Sequence, residues 1–170
     1  MGILNATPDS FADGGEHFTY PDAVDHGLKL IAEGADLIDV GGESTRPGAE
    51  RVSAAEEERR VINVISKLAD AGKPISIDTM RASTARAAVI AGASIINDVS
   101  GGLADAAMLD TAAELNVPYI AMHWRGHSKE MNDLAVYTNV VEEVIAELSL
   151  RIQAALSAGV SKSNLIIDPG

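Results

Sequence analysis

The hydrophobic pattern of the chain repeats one phrase. A stretch with apolar residues at helical spacing ends in a small residue and a glycine, and a short β-branched run then closes on a carboxylate or an amide. The phrase occurs as EGADLIDV with Asp39, AGKPISID with Asp78, AGASIIND with Asn97 and Asp98, and AGVSKSNLIID with Asp168. Gly34, Gly72, Gly92 and Gly159 fit the left-handed cap at a helix C-terminus, and the runs after them are too short and too branched for helix. MGILN, ending at Asn5, and PYIAM, ending just before His123, add two strands. Helices are predicted near 21–33, 54–70, 81–91, 104–116 and 138–158, the second opening on a capping box of Ser53 and Glu56.

Strands that alternate with helices pair in parallel, because each helix carries the chain back across the sheet. The runs ILN, LIDV, ISID and IIND are apolar on both faces until their last residues, as in strands covered on both sides. Two architectures satisfy this, a doubly wound sheet and a (β/α)8 barrel, and both bind ligands at the C-terminal ends of their strands. No Gly-x-Gly-x-x-Gly turn follows the first strand and no Walker loop occurs, so the barrel is favoured over a nucleotide-binding sheet. A complete TIM barrel has eight strands and about 250 residues. Six are predicted here, so the expectation is a single domain over 1–170 that supplies about six βα units and is incomplete at its C-terminus.

Composition narrows the setting. The 170 residues, 46% of them hydrophobic, can bury one core. The absence of cysteine excludes disulfides and thiolate metal sites and points to an intracellular, cytoplasmic protein. No apolar run is long enough to cross a bilayer, and Met1 leads straight into a strand, so neither a membrane span nor a signal peptide is expected. A formal charge of −12 argues against nucleic acid and anionic membranes as partners.

Taken singly, Asp39, Asp78 or Asn97 reads as a helix N-cap. Jointly, the polar strand ends converge. In a barrel Asp78 and Asn97 stand side by side at the mouth, with Asn5 and Asp168 elsewhere on the ring, and such groups suit the donor–acceptor edge of a flat heterocycle or a hard cation. His123 has no spaced partner and reads as a loop hydrogen-bonder; Met122 and Trp124 read as packing residues. Behind the second strand, GGESTRPGAE joins a hydroxyl pair, Ser44 and Thr45, to a fixed cation, Arg46, and a stiffening Pro47.

MGILNATPDSFADGG, IDVGGESTRPGA, SIDT, GASIINDVSGG, MHW and IIDPG, in this order over nearly the whole chain, resemble the dihydropteroate synthases of folate biosynthesis. The resemblance implies a TIM-barrel transferase that joins hydroxymethyl-dihydropterin diphosphate to p-aminobenzoate, releases pyrophosphate with Mg²⁺, works as a homodimer and is the target of sulfonamides. By position it implies that Asn5 contacts the Mg²⁺-diphosphate and that Asp78, Asn97 and Asp168 bind the pterin, with Met122 in the wall. Thr45, Arg46 and Pro47 would lie on a loop that meets diphosphate and p-aminobenzoate, and Phe11 and Asp13 on the long first loop, with Asp13 and Arg46 in catalytic roles. Ala6 stands where the family usually has valine, and the family's seventh-strand lysine and eighth-strand arginine and histidine have no counterparts in these residues. A non-catalytic pterin-binding homologue would lack the loop chemistry, and a pterin-dependent methyltransferase barrel the p-aminobenzoate loops; the intact ESTRPG and TPDSFADGG motifs favour the synthase.

Overall fold

A computed structural model describes residues 1–7, 20–44 and 51–170. Six strands alternate with helices: β1 Gly2–Asn5, α1 Tyr20–Ala32, β2 Ile38–Gly41, α2 Ala54–Ala69, β3 Ile75–Asp78, α3 Ala82–Ala91, β4 Ile95–Asp98, α4 Met108–Leu115, β5 Tyr119–Met122, a short α5 Met131–Leu134, α6 Val140–Ser157 and β6 Leu165–Asp168. All neighbours are parallel, and the sheet order is β1-β2-β3-β4-β5-β6. That order decides between the two architectures. A doubly wound sheet reverses direction about a switch point, whereas successive strands laid side by side without reversal are the βα units of a TIM barrel.

One face of the sheet meets the helices. Leu4, Val40, Ile77, Ile96 and Tyr119 lie in register across β1 to β5, all fully buried. Against them pack Val61, Val64, Ile65 and Leu68 of α2, Ala85 and Ala88 of α3, and Met108 and Ala112 of α4. Each valine, leucine, isoleucine or methionine among them contributes about 1.5–3 kcal/mol, and each alanine less. Gly27 brings α1 close to α2: a methyl group there would stand 2.7 Å from Leu68 Cδ1.

The local signals hold up. Gly34, Gly72, Gly92 and Gly159 all take positive φ. Ser53 caps α2 by accepting from the Glu56 N–H at 3.2 Å, but the reciprocal half of the box is missing, because Glu56 turns outward to Arg59 and Arg60. Two boundaries differ from expectation. Helix α4 begins at Met108 rather than near 104, because Asp105 folds into a turn, accepting from Ala107 N at 3.0 Å and capping α3 by accepting from Ala82 N at 2.8 Å. Strand β2 runs on to Gly41, so Asp39 is an interior strand residue instead of a strand end. Among the described residues no helix is long and apolar enough to cross a membrane.

Candidate active site

Side chains alternate along each strand, so the face turned away from the helices carries Asn5, Asp39, Gly41, Ser76, Asp78, Asn97, Ile120, Met122, Ile166 and Asp168. Its lower layer is Ile3, Asp39, Ser76 and Ile95; the next is Asn5, Gly41, Asp78, Asn97, Ile120 and Ile166; Met122 and Asp168 pair one step higher. A concave face of this composition cannot serve as dry core. It is polar where β2, β3 and β4 meet, and Ile3 (59% exposed) and Ile166 (46%) lie open on the edge strands.

Asp39 organises the polar patch. It is almost wholly buried and accepts from the Ser76 hydroxyl and from Asn97 Nδ2, the latter at 3.3 Å to Oδ1 and 3.2 Å to Oδ2. Burial pushes its pKa up, and the bonds from Ser76 and Asn97 pull the other way. Asp78 has no such relief: burial, then the negative charges of Asp39, Glu57, Asp98 and Glu43, push its carboxyl up to about 8. A carboxyl perturbed by burial and by neighbouring carboxylates at a strand C-terminus marks a candidate functional site. Gly41 separates Asp78 from Asn5. A Cβ on Gly41 would stand 3.3 Å from Asp78 Oδ2 and 3.7 Å from Asn5 Oδ1, so the glycine keeps a slot between the two polar side chains.

The companion acid of β4 goes elsewhere. Asp98 points to the helix side and is fully buried, accepting from Ser100 N and Oγ, Gly102 N and the Tyr119 hydroxyl at 2.6–2.8 Å. It shapes the turn after Asn97 and makes no part of the concave face. Asp168 tops β6 beside Met122, with Oδ1 accepting from Gly170 N at 3.0 Å. His123 turns to the helix side and bonds Glu147 at 2.8 Å, as a loop hydrogen-bonder should. A cavity of about 270 Å³ opens there between Leu103, His123, Trp124, Glu147, Leu150 and Arg151, behind the strand ends rather than over the polar face.

A second polar cluster braces the strand ends from outside. Glu57 of α2, only 1% exposed, accepts from Thr79 Oγ1 at 2.6 Å, from Thr84 Oγ1 at 3.4 Å and from Arg81. Arg81 also bonds Glu43 Oε2 at 2.9 Å and the Val52 carbonyl at 2.5 Å. Glu43 in turn accepts from Arg51 Nε and Val52 N, each at 3.0 Å, and Arg60 bonds the Gly42 carbonyl at 2.9 Å. Residues 42–43 and 51–52 are thereby clamped to each other and to α2 and α3.

Residues 1–170 match the family described as pterin binding enzyme. The chain belongs to that family. The chain is 50% identical over its whole length to the dihydropteroate synthase of Mycobacterium leprae and 52% identical to that of Streptococcus pyogenes, spanning 60% and 62% of those proteins. Among solved structures it superimposes on the dihydropteroate synthase of Xanthomonas albilineans with 4-aminobenzoic acid at a TM-score of 0.91, with 52% identity, all of this chain and 60% of that one covered. The Yersinia pestis enzyme in a sulfonamide drug complex gives a TM-score of 0.92 at 39% identity, covering all of this chain and 62% of that one.

The chain brings Asn5, Asp78, Asn97, Met122 and Asp168 to one face at the strand ends, where the sequence reading placed them. Phe11, Asp13, Thr45, Arg46 and Pro47 lie outside the described residues. Sequence reasoning missed Ser76 and the interior role of Asp39. Ser76 sits between two isoleucines in ISID, and period-2 alternation alone would have flagged it as sharing a face with Asp78. Glu43, Glu57 and Arg81 were missed too, and nothing in their local context marks them. For a metal, no group of three or more His, Asp or Glu is assembled among the described residues. The slot between Asn5 and Asp78 offers oxygen donors that fit Mg²⁺ only when a phosphate completes its shell.

Proposed function

We propose that this chain carries the pterin half of a dihydropteroate synthase, joining hydroxymethyl-dihydropterin diphosphate to p-aminobenzoate with release of pyrophosphate. The observation that carries the reading is the row of Asn5, Asp78, Asn97 and Asp168 on one face at the strand ends, in a chain about half identical to enzymes of that name. The X. albilineans enzyme was also solved with 7,8-dihydropteroate, the product of this reaction, and that structure matches with a TM-score of 0.85.

The residues divide the work by chemistry. Asp168 and Asp78 accept hydrogen bonds from the ring's N–H groups, Asn97 supplies a further polar contact and Met122 covers the ring. The aryl amine nitrogen forms a bond to the pterin methylene carbon, the carbon–oxygen bond to diphosphate breaks, and the amine proton leaves to solvent. Positive charge that builds on the methylene carbon is stabilised by nearby carboxylates, Asp13 among them. Arg46 and Thr45 contact the departing diphosphate, and Phe11 and Pro47 wall the p-aminobenzoate pocket. When bound, Mg²⁺ neutralises the diphosphate. Asn5 orients that end of the substrate beside the Gly41 slot.

In this reading residues 1–170 form one incomplete barrel domain of a cytoplasmic homodimer that takes small molecules and neither nucleic acid nor membrane. A pterin-dependent methyltransferase shares the pterin face but not the ESTRPG segment, whose first residue, Glu43, is tied to Val52 directly and through Arg81. The test is pyrophosphate release by the full-length protein. It should require both p-aminobenzoate and the pterin diphosphate; methyl transfer, or release indifferent to p-aminobenzoate, would overturn the assignment. In the same protein, Asp168→Ala should weaken pterin binding in calorimetry by about 1.5–3 kcal/mol, the scale of a charge-assisted bond. Unchanged affinity would mean that Asp168 serves only to cap Gly170.

The metal has its own expectation. Since the described residues assemble no cluster that would hold a cation alone, Mg²⁺ should bind tightly only together with a diphosphate, and Asn5→Ala should weaken the ternary complex. Titrating Mg²⁺ into the full-length protein with and without pyrophosphate checks this. Micromolar binding to the ligand-free protein would refute it.

A further inference from the structure

Asn97 has two ends, and the fold has already committed one of them. Its Nδ2 lies 3.3 and 3.2 Å from the two oxygens of Asp39, whose Oδ1 also receives the Ser76 hydroxyl. When ionised, Asp39 has no proton to give, so the carboxamide facing it donates through its NH₂, and the orientation of Asn97 follows from that chemistry. What the fold leaves towards the concave face is Asn97 Oδ1, an acceptor, with the second Nδ2 hydrogen beside it.

We propose that Asp39, held by Ser76, is a positioning residue that sets the hydrogen-bonding sense of the pocket: it turns Asn97 so that Oδ1, and not Nδ2, meets an N–H of the bound heterocycle. The proposal rests on the reading of this face as a pterin site and deepens it. Asp39 does not touch the ligand. It lies one layer below the row that carries Asp78 and Asn97, in register with Ser76. Burial of Asp39 beneath that layer keeps water from competing for the Asn97 amide. Two neighbouring acceptors, Asp78 when ionised and Asn97 Oδ1, would select rings with adjacent N–H groups, and a ligand with a lone pair at either point would leave a buried group unpaired.

Exchange of the two side chains tests this. In Asp39→Asn, with the remaining oxygen kept by the Ser76 hydroxyl, an NH₂ faces Asn97, which is expected to flip and present its own NH₂ to the ligand. Binding of 6-hydroxymethyl-7,8-dihydropterin to the full-length protein should fall at least tenfold. In the double variant Asp39→Asn/Asn97→Asp, the carboxamide at position 39 accepts from Ser76 and donates to the carboxylate at position 97, which again shows the ligand an acceptor. Affinity should return to within about threefold of the parent, on the logic of a double-mutant cycle. A merely structural Asp39 predicts no such rescue. Parent-like binding by Asp39→Asn, or a double variant no better than the single one, overturns the proposal while leaving the pterin assignment intact. A parent protein that binds no pterin overturns the assignment itself. Should Asp39→Asn not fold, the double variant and the Asn97 side-chain amide resonances of the parent decide: NH₂ protons that exchange with solvent as fast as those of an exposed asparagine refute the committed orientation.

Discussion

Arg81→Ala should cost the folded state about 3–5 kcal/mol, the scale of removing one partner from a buried ion pair. The guanidinium bonds Glu57, Glu43 and the Val52 carbonyl, and its removal leaves two buried carboxylates facing each other's neighbourhood without a cation between them. Thr79 and Thr84 still donate to Glu57, and Arg51 and the Val52 amide still donate to Glu43, which holds the loss below that of wholly abandoned charges. The cost should be partly repaired by Arg81→Ala/Glu57→Gln, because a neutral carboxamide tolerates the same burial better. Urea unfolding of the full-length protein measures both. A loss under 1 kcal/mol for the single variant would show that the cluster behaves as an exposed ion pair.

Asp78→Asn should act in the opposite direction on stability and more severely on binding. The folded-state pKa of Asp78 is raised from 3.8 to about 8, so between those values the folded chain holds a proton that the unfolded chain has released. Stability from that proton is fully present below pH 3.8 and is lost as pH rises towards 8. An asparagine has no proton to lose. The variant and the parent should therefore be about equally stable near pH 4, and the variant should be more stable at pH 8.5, by on the order of 2–4 kcal/mol once water penetration has discounted the shift. Denaturant midpoints at the two pH values check the sign. Equal stability at pH 8.5 would mean that Asp78 ionises freely in the folded protein. Binding should move the other way, since a carboxamide at position 78 offers the ring one acceptor fewer beside Asn97; this is the stability–function conflict expected at a site.

That conflict explains why some of the site was readable from sequence and some was not. Asp78, Asp168 and Asn5 end their strands, and a polar residue after a β-branched run stands out against the apolar pattern. Asp39 was misjudged because Gly41 extends β2 without resembling a strand residue. Asn97 and Asp98 are adjacent, and a strand sends neighbours to opposite faces. Register against β3 and β5 turned Asn97 to the pocket and Asp98 to Tyr119.

By itself the sequence determined the alternation of strand and helix, the parallel pairing that follows from it, the glycine caps and the polar strand ends, because each depends on residues within a turn or two of one another. Only the tertiary structure decided the non-reversing strand order, the inward face of Asp39 and Ser76, the direction of the Asn97 amide and the clamp of Glu43, Glu57 and Arg81. Those features join groups 20 to 60 residues apart, such as Asn97 with Asp39 at a separation of 58 and Arg81 with Glu43 at 38. Distances of that kind are set when whole elements pack, and no local pattern encodes which carboxylate will meet which donor.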